Sequence, residues 1–134
     1  MAAEEIVLEP IGVVRSRLTD PADAPKQGWE GAPATTIVLR EDVLDGLQGV
    51  AAGDKLLVLT WLHRAARDVL VVHPRDDAAR PLQGVFVTRS PARPNPIGVH
   101  RVRVISIEGT DLRVRDLEAI DGTPVLDIKV ALAL

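Results

Sequence analysis

Short apolar runs alternate along this chain with clusters of proline, glycine and acid, and a helical period is hardly ever sustained. Residues 6–14 are apolar and β-branched but broken by Pro10 and Gly12, which predicts an edge or kinked strand. Residues 19–34 hold Pro21, Pro25 and Pro33 with Gly28 and Gly31 and predict a long loop. Residues 35–39 read as a short strand. In residues 40–47, Val43, Leu44 and Leu47 are spaced like one face of a short helix or turn. Residues 54–62 (DKLLVLTWL) predict a buried strand, and residues 67–73 (RDVLVVH) a second one, paired with it as a hairpin across residues 64–66. Residues 76–82 are a polar loop, and residues 85–88 a strand.

From Gly98 the alternation is cleaner. Val99, Arg101, Arg103 and Ile105 fall on one side of an extended chain, and His100, Val102, Val104 and Ser106 on the other. Residues 109–111 make a tight turn into a strand at 112–115, Asp121-Gly122 signals another turn, and residues 125–130 form a last strand. Many short strands, regular turns and one or two short helices predict a mainly β fold: a single antiparallel, barrel-like domain over residues 1–134. No G-x-G-x-x-G follows a predicted strand, so a doubly wound nucleotide-binding sheet is not expected.

At 134 residues the chain is long enough to bury a core without covalent staples. It has no cysteine, which excludes disulfides, thiolate metal sites and cysteine nucleophiles. His63, His73 and His100 do not have metal-ligand spacing, and no metal is expected. The amino-terminal stretch MAAEEIVLEP has neither the basic region nor the apolar region of a signal peptide, and no apolar run is long enough to span a bilayer, so the expectation is a cytoplasmic protein. Net charge is −3, which argues against a uniformly basic nucleic-acid binder. Residues 89–103, however, carry four arginines and no acid.

The densest chemistry lies in residues 84–98, GVFVTRSPARPNPIG. Pro91, Pro94 and Pro96 fix φ and restrict Ser90, Arg93 and Asn95 before them. A loop this stiff, carrying Arg89, Arg93, Ser90 and Asn95, suits a preorganised binding site as well as a simple rigid turn. Asp121 and Asp127 invite an acid–base role. Asp121 can equally cap its own turn, and alternation places Asp127 on the face of Lys129, where the two can pair. His63-Arg64 ends an apolar strand, a position as often structural as functional.

These stretches resemble the TrmO-type (YaeB-like, TsaA-domain) family of S-adenosylmethionine-dependent tRNA methyltransferases. The resemblance rests on Ile11-Gly12-Val13-Val14-Arg15-Ser16, on Pro25-Lys26-Gln27 where the family has P-R-Q, on residues 84–98, and on D-G-T-P-V-L-D-I-K at residues 121–129, in the family's order. It implies a single β-barrel, S-adenosylmethionine as cofactor, and a homodimer with the site near its interface. It implies cofactor contacts from Lys26, Gln27, His63, Arg64, Arg89, Val99, Asp116, Leu117 and Glu118, where Glu118 replaces an Asp. It implies methylation of N6-threonylcarbamoyladenosine at position 37 of a tRNA anticodon loop, with Arg93 and Asn95 facing the substrate. Asp121, Asp127 and Lys129 are the candidate catalytic groups. The family motif continues D-I-K-P-Y, whereas Val130-Ala131 follow Lys129 here, and no additional C-terminal domain is expected. A small-molecule acceptor, or cofactor binding without turnover, stays open beside tRNA.

Overall fold

The computed structural model describes residues 4–19 and 34–132. Its frame is a closed six-stranded antiparallel barrel in the order β1-β2-β7-β6-β3-β8, built from β1 (Gly12–Arg15), β2 (Thr35–Leu39), β3 (Lys55–Trp61), β6 (Ile97–Glu108), β7 (Asp111–Arg115) and β8 (Pro124–Val130). A separate two-stranded ribbon joins β4 (Val71–Val72) to β5 (Gln83–Gly84). The described helices are 3₁₀ turns, the longest being Glu41–Leu47. Mainly β architecture and barrel closure are therefore as the alternation implies.

The alternation does the packing. In β7, Leu112 and Val114 point into the barrel while Asp111, Arg113 and Arg115 stay in water. In β6, His100, Val102 and Val104 are buried and Arg101 and Arg103 exposed. With Val14, Ile37, Leu56, Val58, Leu117 and Val125 these residues form one core. Closing the sheet satisfies the edge hydrogen bonds that an open sheet would leave unpaired.

Three expectations change. Residues 67–73 do not pair with β3, because β6 takes one edge of β3 and β8 the other; only Val71–Val72 is extended, against Gln83–Gly84. Residues 85–88 are not a strand. Val85–Val87 forms a 3₁₀ turn in which the Thr88 N–H donates to the Val85 carbonyl at 3.1 Å. The first strand is confined to Gly12–Arg15, and residues 4–10 are exposed.

Gly12 lies where two strands come close. A Cβ there would stand 2.6 Å from the Val38 carbonyl oxygen and 3.0 Å from Leu39 Cδ2. Backbone cannot yield as a flexible side chain can, so Gly12→Ala should destabilise the fold by on the order of 1–3 kcal/mol. Gly46→Ala, with no atom within 4 Å of the new Cβ, should be close to neutral or stabilising. Thermal melting of the two variants checks this, and equal midpoints would contradict it.

Candidate functional site

Three connections meet at the end of the barrel where β3 finishes and β6 begins: residues 62–65, the proline-rich residues 88–96, and residues 116–123. They enclose an open cavity of about 230 Å³, whose wall includes Arg64, Arg89, Gly98, Val99, His100 and Glu118.

The proline-rich loop is held from within by arginine. Arg93 Nη2 donates to the Val85 carbonyl at 2.8 Å, and Arg93 Nη1 donates to the Ser90 and Thr88 carbonyls at 3.1 and 3.3 Å. The Arg93 backbone N–H donates to the Ala66 carbonyl at 3.0 Å. Arg67 works from outside the loop. Its Nε donates to the Pro94 carbonyl at 2.8 Å, its Nη2 to Asn95 Oδ1 at 3.1 Å, and its guanidinium lies 5.1 Å from the Trp61 ring centre. Prolines restrict φ, but these bonds decide where the loop sits. Arg89 has no hydrogen-bond or ion-pair partner among the described residues and faces the cavity. Arg64 lines the same cavity and donates from Nη1 to the Thr19 carbonyl at 2.8 Å.

Beneath the loop lies a buried polar network. His100 occupies an inward position of β6, in register with Val102 and Val104. Its Nε2 is 2.7 Å from Thr60 Oγ1 and its Nδ1 2.6 Å from Glu118 Oε1. A carboxylate oxygen accepts, so Nδ1 donates to Glu118, while Nε2 shares its hydrogen bond with the Thr60 hydroxyl. The side chains of His100 and Glu118 are 4% and 13% exposed. Glu118 Oε2 is buried and has no hydrogen-bond partner among the described residues. A buried polar atom without a partner is costly, and here it belongs to a residue of the cavity wall. Gly98 makes room for the network: a Cβ would sit 2.6 Å from Thr60 Oγ1 and 2.8 Å from His100 Nε2.

The structure thus gathers His63, Arg64, Arg89, Arg93, Val99 and Glu118 around one cavity. Asn95 is beside it but its Oδ1 is occupied by Arg67. Asp116 is exposed with a left-handed φ of 70°, and Leu117 is wholly buried in the core. Asp121 sits in the turn between the lining residues Ile120 and Thr123, its Oδ1 accepting the Ser16 N–H at 3.0 Å. Asp127 and Lys129 are elsewhere: they pair at 2.7 Å on the outer side of β8 and line a larger cavity at the opposite end of the barrel. Lys26 and Gln27 lie outside the described residues. Thr60, His100 and Arg67 were not among the candidates. His100 has one legible signal, a polar residue placed in the apolar register of β6.

Chemically, the cavity wall holds guanidinium donors of Arg64 and Arg89 together with the buried Glu118 carboxylate acceptor. That suits a small molecule with an anionic group at one end and hydroxyl or ammonium donors further along.

A family model described as the tRNA-methyltransferase O N-terminal domain matches residues 13–133. A probable S-adenosyl-L-methionine-binding protein of Methanothermobacter thermautotrophicus is 45% identical over 129 residues, covering 96% of this chain and 92% of that protein. An S-adenosyl-L-methionine-binding protein of Archaeoglobus fulgidus is 42% identical over 124 residues, covering 92% and 88%. Among solved structures, a crystal structure of TrmO from Pseudomonas aeruginosa superposes with a TM-score of 0.76 at 31% identity, covering 96% of this chain. This chain spans 57% of that one's length.

Two expectations follow from the side-chain geometry. Arg93→Lys removes the forked donor and should leave at least one of the three carbonyls unpaired, loosening residues 84–96. Amide exchange in that segment should quicken while the barrel strands keep their protection; unchanged exchange would mean that the prolines alone hold the loop. Separately, the Asp127 carboxyl is held below its ordinary pKa, chiefly by its hydrogen bond to Lys129. A carboxyl lowered in the folded state contributes stability above its unfolded pKa, and this is lost as pH falls through the folded value. Lys129→Met should raise the Asp127 midpoint in an NMR titration and remove that acid-side contribution.

Proposed function

The chain belongs to the family of tRNA-methyltransferase O N-terminal domains, and on that premise we propose that it binds S-adenosylmethionine in the cavity beside the proline-rich loop and methylates N6-threonylcarbamoyladenosine at position 37 of tRNA. The observation that carries the reading is the buried Glu118 carboxylate, with Oε2 unpartnered among the described residues, in the wall of the same cavity as Arg64 and Arg89. S-adenosylmethionine has the matching groups: a carboxylate for the arginines, and ammonium and ribose hydroxyl donors for the carboxylate. When bound it supplies an electrophilic methyl carbon, open to in-line attack.

The residues of the chain then have distinct tasks. Arg89 and Arg64 anchor the anionic end of the cofactor, with Lys26 and Gln27 as the further contacts that the resemblance implies. His63 and Val99 form part of the wall. Glu118 accepts from the hydroxyl donors, and His100, fixed by Thr60, holds the Glu118 carboxylate in one orientation. Asp116 and Leu117 contribute backbone beside Glu118. Arg93 and Asn95 shape the loop that receives the acceptor, and fixing the acceptor against the methyl carbon supplies much of the rate. A urea-like nitrogen must lose a proton as it attacks. Of the candidate carboxyl groups, Asp121 is nearest in sequence to the cavity wall, while Asp127 and Lys129 are engaged with each other.

The proposal includes a homodimer in the cytoplasm, where tRNA is found. Phe86 and Val87, 79% and 74% exposed, stand beside the cavity loop, and a second copy of the chain would cover them. A second reading, a small-molecule acceptor, is favoured by one feature: the aromatic that follows the family's D-I-K motif is Ala131 here, removing a stacking surface for a base.

The test is methyl transfer from labelled S-adenosylmethionine into tRNA lacking the mature modification. Arg89→Ala should reduce incorporation at least tenfold. Glu118→Gln should weaken cofactor binding by about tenfold or more in calorimetry, the scale of a hydrogen bond to a charged group. Cofactor binding with no incorporation into tRNA would remove the tRNA reading; no cofactor binding would remove the whole proposal.

A further inference from the structure

The outer wall of the barrel carries a charge pattern that the cavity does not use. Arg103 on β6 stands directly opposite Lys55 on β3 and, on its other side, opposite Arg115 on β7. Strands lie about 4.8 Å apart, so three cations form a row about 10 Å long. Arg101 lies two residues along β6 on the same face, opposite Leu57, and Arg113 lies two residues along β7. All five are exposed, and none makes an ion pair among the described residues.

Like charges directly opposite in a sheet oppose folding, and the usual remedy, an interleaved acid, is missing. β3 has no acid. The acids of β6 and β7, Glu108 and Asp111, face each other at the far hairpin. Asp54 precedes Lys55 but its Oδ2 accepts the Ala51 N–H. Asp116 follows Arg115 where a φ of 70° turns the chain off the strand. A chain of net charge −3 therefore concentrates unneutralised positive charge on one wall.

We propose that the outer face of β3, β6 and β7 is a docking wall for the phosphate backbone of RNA. Charge complementarity selects a polyanion. No exposed aromatic or large aliphatic side chain stands among the five cations, so the apolar insertion that strengthens binding to a lipid surface is absent. The wall also runs into the cavity. Val99, which lines it, is two residues before Arg101 on β6, about 7 Å along the strand, and Glu118 is three residues after Arg115. Phosphates on the wall would bring a neighbouring nucleotide to the cavity mouth. This deepens the tRNA reading and rests on it for the identity of the RNA.

The test compares the full chain with Arg101→Gln/Arg103→Gln/Arg115→Gln. Anisotropy of labelled tRNA, and of an unrelated RNA hairpin, is followed from about 50 to 200 mM salt, the range in which phosphate contacts dominate. The variant should bind both RNAs at least tenfold more weakly at the lower salt. Its log–log salt slope should be shallower by about 2 to 3, since each of three lost contacts removes ~0.7–0.9. Cofactor calorimetry checks that the variant folds. Equal affinities and slopes in the two proteins would overturn the wall, as would a full chain that binds neither RNA, or binds only anionic vesicles. Methyl transfer is scored separately. RNA bound with the expected slope but never methylated supports the wall and removes the tRNA methylation reading. Methylation with an unchanged slope removes the wall and leaves that reading standing.

Discussion

Everything at the cavity depends on how the barrel closes. The last seam, β1 against β8, is the shortest in the barrel, with two register pairs, Gly12 with Val125 and Val13 with Pro124. Backbone bonds extend it: the Ile11 N–H donates to the Val125 carbonyl at 2.8 Å, the Val14 N–H to the Thr123 carbonyl at 2.9 Å, and the Gly122 N–H to the Val14 carbonyl at 2.8 Å. This seam draws residues 116–123 across the end of the barrel. Leu117 and Ala119 go down into the core, and Glu118 between them is left facing His100. The position of the carboxylate is thus a consequence of closure, and Gly12, which lets β1 approach β2, supports it from a distance.

How much of this could be read beforehand follows from the range of the interactions involved. Period-2 alternation is local, so β2, β3, β6, β7 and β8 were legible nearly to their ends. The partner of a strand is not local. Residues 67–73 look like a strand, but no edge of the barrel is free for them, and that follows only from the completed sheet. The cavity-lining residues His63, Arg64, Arg89, Arg93, Val99 and Glu118 came from the family resemblance and from residue chemistry. The Thr60–His100–Glu118 network joins three segments that are distant in sequence, and no spacing rule connects them.

The proline-rich loop shows a related division of labour. Pro91, Pro94 and Pro96 limit its conformations before folding, but rigidity alone does not place it. Placement comes from Arg93, spending its fork on three carbonyls of the loop's own backbone, and from Arg67, which ties Pro94 and Asn95 to the Trp61 ring. In sequence these arginines look alike. In the fold two act as fasteners, and Arg89 lines the cavity with no hydrogen-bond partner among the described residues.

The uneven charge of the outer wall also changes what the molecule is electrically. With an isoelectric point near 5.6 it would be treated as an acidic protein. With Lys55, Arg101, Arg103, Arg113 and Arg115 on one side of a chain of net charge −3, its charge is unevenly distributed. Its behaviour in a field depends on orientation as well as on total charge. Near any charged surface it would rotate before it moved closer, so one chain could adhere to both anion- and cation-exchange matrices at the same pH, by opposite faces.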